Sequence, residues 1–176
     1  MAAYTTSQQK MLCLHTTLRE ALRFKKYYSR EMKRCARWNF WANFLIAAVA
    51  STSLTSMTFF SDTDLGKAIL KAMLLVSAIA TIVKPLLKLD KQIARFSKLQ
   101  SDYLDLYQKL DRLKIDIQHC GAFRPLHEKR LARLRNRFDS LGLRNEAVES
   151  DRKMLKIMDE VDRSIPPNSL WLPPSE

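Results

Sequence analysis

Residues 38–60 read WNFWANFLIAAVASTSLTSMTFF, 23 positions without an Asp, Glu, Lys or Arg. In a chain that is 27% charged, a gap of this length decides the fold. As a helix it spans roughly 34 Å at 1.5 Å per residue, enough for a hydrocarbon core of about 30 Å. Trp38 and Trp41 stand at one end and Phe59 and Phe60 at the other. Aromatic rings suit the membrane–water interface. The stretch is therefore expected to be a transmembrane helix.

A second apolar segment runs from Ala68 to Leu87. Its uncharged core, Ala72 to Val83, is only 12 residues long. Lys71 and Lys84 lie near the ends, where long amines can snorkel to headgroups. The link over residues 61–67 is short, so the two spans are expected to be antiparallel neighbours. Residues 19–37 hold eight Lys/Arg against two Glu, and residues 84–98 hold five against one Asp. The loop carries Lys67 against Asp62 and Asp64. The positive-inside rule then puts both flanks in the cytoplasm and the loop outside. The expected organisation is an amphipathic cytoplasmic helix over 1–37, spans at 38–60 and 68–87, an external loop at 61–67, a cytoplasmic helical bundle over 88–164 and a proline-rich tail at 165–176. The fold class is all-α: a transmembrane hairpin with long cytoplasmic helices packed in coiled-coil fashion.

Composition agrees with a helical chain. Three glycines in 176 residues, and no Asn-Gly or Asp-Gly hairpin signal, argue against a β architecture. The net charge is +12. Residues 1–100 carry 16 Lys/Arg against 5 Asp/Glu, whereas residues 101–176 carry 14 against 13. The excess lies with the apolar segments, which favours lipid headgroups as the main counter-charge and leaves a nucleic-acid ligand open. Cys13, Cys35 and Cys120 form no CxxC pair and read as free thiols. Residues 1–37 are polar and basic, unlike a signal peptide.

In the N-terminal segment Met11, Leu14, Leu18 and Leu22 recur at helical spacing, with Ser7 as an expected N-cap. This helix can run through Tyr27 and Tyr28 directly into the first span. Its rim of Arg23, Lys25, Lys26, Arg30, Lys33, Arg34 and Arg37 either rests on anionic lipid or only sets topology.

The clearest periodicity follows the second span. Phe96, Leu99, Tyr103, Leu106, Leu110, Leu113 and Ile117 alternate steps of three and four residues, a heptad seam on one long helix from Leu86 to Gln118. Its partner is the N-terminal helix, a later helix, or the same seam in another copy. The last option makes it an oligomer seam. Cys120-Gly121 and Pro125 break the chain. A helix with Leu126, Leu131, Leu134, Phe138 and Leu141 follows, and a last one from Asn145 to Ser164 carries Val148, Leu155, Met158 and Val161. Pro166-Pro167 stops it, and the tail reads as extended or disordered.

Two sets of residues are candidate sites. Asn39, Asn43, Ala47, Ser51, Thr55 and Thr58 fall near one face of the first span. They line a water-filled pore formed by several copies, or they pack against other helices, as small hydroxyl residues do. On the later helix, Arg124, Lys129, Arg130, Arg133, Arg135 and Arg137 could hold a phosphate-bearing ligand, because guanidinium binds phosphate bidentately. The alternative is a solvated face pairing with the acidic stretch over 146–162.

No P-loop, GxSxG or HExxH is present, and no enzymatic activity or cofactor is expected. His119, Cys120 and His127 lack a fourth ligand at finger spacing, so no metal is expected.

Tyr27-Tyr28, Arg37-Trp38, Lys84-Pro85 and Tyr103-Leu104-Asp105-Leu106, in this order, resemble the layout of the SLATT family, the two-transmembrane effectors of bacterial anti-phage defence. The resemblance covers residues 14–141. It implies a homo-oligomeric pore in the bacterial inner membrane, both termini cytoplasmic. It also implies a nucleotide-generating or nucleotide-sensing partner encoded alongside. From the basic cytoplasmic face itself the expected ligand is a cyclic nucleotide or short oligonucleotide, supplied by a co-encoded nucleotidyltransferase and gating the pore through the cytoplasmic helices. A tetramer is the working expectation. The competing class is a membrane-anchored helical scaffold without pore activity.

Overall fold

The computed structural model describes residues 6–59, 68, 71–72, 75–76, 78–79, 81, 88–144, 151–166 and 169–172, with residues 45, 48–59, 151 and 152 given as backbone only. Among these residues the chain is all-α, with four helices and no strand. They are α1 (Thr6–Phe59), α2 (Leu89–Cys120), α3 (Pro125–Gly142) and α4 (Asp151–Ser164). The described residues between 68 and 81 are also helical and exposed. The rest of the expected second span, and the loop at 61–67, lie outside the described residues. Among the described residues no helix is long and apolar enough to cross a membrane.

The chain divides into two compact units, one of Met1–Ser29 with Ser97–Glu176 and one of Arg30–Phe96. Residues 30–37 and 88–96, read above as parts of the cytoplasmic helices, therefore belong with the intervening segment.

The first unit is a helical bundle. The beginning of α1 buries Met11, Leu14, His15, Thr17, Leu18, Ala21, Leu22 and Tyr28. That is wider than the stripe of an ordinary amphipathic helix, because this part of α1 has three helical neighbours. Phe24 and Tyr28 stack on Tyr103 of α2 at 5.1 and 5.8 Å, and Phe138 of α3 meets Tyr103 edge-on at 6.2 Å. Leu22 packs with Ile157 and Val161 of α4, flanked by Tyr27 and Tyr107. Arg19 pairs with Asp162, and Lys10 with Glu128 at 3.0 Å. Thr17 escapes an unmet polar burial by donating its hydroxyl to the Cys13 carbonyl at 2.9 Å.

The heptad seam finds its partner inside the chain. Leu99, Tyr103, Leu106, Leu110, Leu113 and Ile117 are all buried in a single copy. The assignment of these residues to an oligomer seam is corrected accordingly: a second copy could use them only by opening the bundle. Phe96 falls in the other unit and is half-buried.

Other expectations shift in register. α1 begins at Thr6, so Ser7 lies inside the helix. It then continues without a break to Phe59, as the reading through Tyr27-Tyr28 anticipated. α2 is entered through Lys88, whose φ of 45° places a non-glycine residue in the left-handed region while its carbonyl accepts the Gln92 N–H at 3.1 Å. It ends at Gly121, with φ of 67°, where a side chain would be strained. Pro125 opens α3 at a position where its missing N–H costs nothing. On α3 His127 is buried with Leu131 and Leu141, and Leu126 is exposed. His127 Nδ1 accepts the Arg124 N–H at 3.2 Å, which allows an imidazole to sit where a leucine was expected. On α4 the buried set is Met154, Ile157 and Val161, spaced three and four apart, whereas Leu155 and Met158 are exposed. Val148 lies outside the described residues. In the tail, Leu170, Trp171 and Leu172 are half-buried, not freely extended. The three cysteines are free thiols.

Candidate functional site

The core-facing set of α3, His127, Leu131, Leu134, Phe138 and Leu141, fixes what its two flanks present. At 100° per residue, Arg130, Arg133 and Arg137 fall on one flank and Glu128, Arg135 and Asp139 on the other. The contacts agree. Arg130 meets Asp116 of α2 at 3.2 Å, and Arg137 meets Asp105 at 2.8 Å and Asp102 at 3.9 Å. On the opposite flank Arg135 donates to Cys13 Sγ of α1 at 3.6 Å. The arginine face thus pairs with Asp102, Asp105 and Asp116. Two acids of the stretch suggested earlier as its partner, Glu160 and Asp162, pair instead with Lys26 and Arg19 of α1.

The six expected phosphate ligands do not form one site. Arg130 and Arg133 share a cleft with Lys109 and Arg112 of α2, on a floor that includes Leu113 and Leu134, with Asp116 at the edge. Its volume is about 310 Å³. Four cations therefore face one carboxylate. Lys109 is held by Asp105 at 2.9 Å and Arg130 by Asp116. Neither Arg112 nor Arg133 makes an ion pair among the described residues. The hydrogen bond from Lys109, with Arg137 close by, holds Asp105 below its ordinary carboxylate value, so this neighbour stays ionised at neutral pH. Arg124 and Lys129 are exposed and line no part of this cleft. Arg135 lines a second groove between α1 and α3, where Lys10 and Arg135 face Glu128 and Asp139 with no net charge.

Sequence reasoning missed Lys109 and Arg112. Both sit on α2 beside the heptad seam, and the signal was available: they flank the seam on the same side as Asp105 and Asp116.

In the second unit, the expected pore face divides. Asn39 Nδ2 donates to Asp90 Oδ1 of α2 at 2.9 Å, with the Cys35 thiol 3.8 Å from Gln92 Oε1 nearby. Asn39 thus joins α1 to the start of α2 within this unit. Asn43 and Ala47 are exposed. Ser51, Thr55 and Thr58 lie on α1, and their side chains fall outside what is described. Beside Asn39, Trp38, Phe40, Trp41 and Phe44 are all exposed, the last three touching at centroid distances of 5.8 to 6.4 Å. Exposed Lys33, Arg34, Arg37, Lys88, Lys91 and Arg95 belong to the same unit.

Among the described residues no group of three His, Cys, Asp or Glu is placed to hold a metal. His127 is buried, with Nδ1 engaged by the Arg124 backbone, while His119 and Cys120 are exposed.

These features define an all-helical protein with a basic inter-helix cleft in one unit and an uncovered aromatic segment in the other. No protein-family profile, curated protein or solved structure matches the chain.

Proposed function

We propose that the chain is a homo-oligomeric membrane pore, an effector of anti-phage defence in the bacterial inner membrane. Both termini lie in the cytoplasm, and the cytoplasmic helices gate the pore in response to a nucleotide-derived ligand. One observation carries the membrane part of this reading. The Asn39–Asp90 hydrogen bond joins the start of the charge-free run 38–60 to the start of α2, and rings that no described residue covers stand next to it. A hairpin that leaves and re-enters the cytoplasm at one place needs this closure, and exposed Trp and Phe beside a collar of Lys and Arg suit a lipid interface. The modest apolarity of the first span has a cause in its sequence: Ser51, Thr52, Ser53, Thr55, Ser56 and Thr58 dilute it. A subunit of a ring needs one face for lipid and another for water or for its neighbour.

Planar-bilayer recording of the purified protein tests the reading. Discrete conductance steps altered by Ser51→Leu or Thr55→Leu are expected. Release of the protein from membranes by alkaline wash would sink the membrane assignment altogether.

The second reading, a membrane-anchored scaffold, is favoured by one finding: the heptad seam is filled from within the chain and offers no assembly surface. It predicts a silent bilayer from a protein that resists alkaline extraction, and full function after the hydroxyl residues are replaced by Leu or Ala.

A further inference from the structure

We infer that the cleft between α2 and α3 is a binding site for a single phosphorylated nucleotide unit, with Arg112 and Arg133 as the groups that hold its phosphate. Its role in gating rests on the pore reading above, but its chemistry does not.

The argument starts from charge pairing along the α2–α3 interface. Arg137 is matched to Asp105 and Asp102, Lys109 to Asp105, and Arg130 to Asp116. Among the described residues Arg112 and Arg133, one from each helix, line the same cleft without an ion pair of their own. Two like charges brought into one cleft repel, and an anion between them removes that cost. Guanidinium groups from two helices can grip phosphate oxygens bidentately from either side.

The floor distinguishes an organic phosphate from a bare ion. Leu113 is buried and shares the cleft with Leu134. An apolar floor contributes nothing to inorganic phosphate but favours a planar, weakly solvated ring, on which a guanidinium plane can also stack. The volume of about 310 Å³ is near the lower end of ligand sites, roughly 300–1,000 Å³. One nucleotide unit fits that space, and any longer oligonucleotide would have to extend out of it. The cleft thereby narrows the ligand class from oligonucleotides to one recognised unit, and moves the site from one helix to two.

Calorimetric titration of the full chain in detergent with ATP, pyrophosphate and adenosine tests this. ATP should bind saturably and more tightly than pyrophosphate, and adenosine should not bind. Arg112→Ala and Arg133→Ala should each weaken ATP by about tenfold or more, the loss expected when a hydrogen-bonded charge pair is removed. Arg124→Ala and Lys129→Ala should leave it unchanged. Both cleft arginines are exposed, so thermal melts should match the parent chain. Should one melt early, Arg112→Lys and Arg133→Lys keep the charge and still lose the bidentate fork, and weakened binding is again expected. Absence of saturable ATP binding, or affinity indifferent to both arginines, overturns the site. ATP bound by these arginines in a silent bilayer upholds the cleft and removes the pore. A conducting protein that ignores ATP does the reverse.

Discussion

The two ends of α1 belong to one helix and meet opposite fates. Toward its start, Leu14 is 0% exposed, and Met11, Leu18 and Leu22 are buried with it. Further along, Trp38 is 64% exposed and Trp41 53%. The contrast separates two uses of apolar surface. In the bundle it is consumed by the chain itself, so it reports on stability. Around Trp38 no described residue consumes it, and a contiguous exposed aromatic cluster on a soluble surface is uncommon enough to point outward, to lipid or to another molecule.

Substitutions on the two sides should separate accordingly. Tyr103→Ala, at the meeting of Phe24, Tyr28 and Phe138, should cost the bundle about 3–5 kcal/mol in denaturant unfolding. Trp41→Ala should move the same transition by no more than about 0.5 kcal/mol, while lowering recovery in the membrane fraction. Equal losses in the unfolding experiment would erase the distinction. The next largest effect belongs to Lys88, which enters α2 with positive φ. Lys88→Gly should relieve about 1–2 kcal/mol of backbone strain, seen as slower hydrogen exchange at the Gln92 amide that it caps.

His15 sharpens the bundle side. It is buried with Nε2 unpartnered, and burial, then Arg19 and Lys114, lower its pKa below the ordinary 6.5. Above 6.5 the imidazole is neutral folded and unfolded. As pH falls below 6.5 the unfolded chain gains the proton first, so stability declines until the folded group titrates in turn. His15→Leu should raise stability at neutral pH by roughly 1 kcal/mol and flatten the acid slope. A small effect is also expected for Arg130 and Asp116, both about half exposed. A double-mutant cycle should return about 0.2–1 kcal/mol.

Much of the bundle could be read in advance because Leu99 to Ile117 repeats with a period that only a helix satisfies. What periodicity does not specify is who fills the seam. An intramolecular partner and a second copy demand the same pattern, and the wide burial around Leu14, Leu18 and Leu22 decides for the former. The register errors on α3 and α4 share a cause. Leu126 and Leu155 are more apolar than His127 and Met154, but the three-and-four spacing from Leu131 and Val161 selects the latter, and His127 is tolerated because a backbone N–H meets its nitrogen. The cleft was half visible, since Arg130 and Arg133 stood out as a run whereas Arg112 lay among alternating charges on another helix. The Asn39–Asp90 pairing was not legible for a different reason: the partners are 51 positions apart, and no local pattern links them.

That distant pairing also bears on how the two helices are aligned. Because Asn39 and Asp90 meet, the stretch between them is an insertion whose ends are held at one point. One carboxamide and one carboxylate therefore set how α1 and the first turn of α2 line up, although 51 positions of sequence separate them.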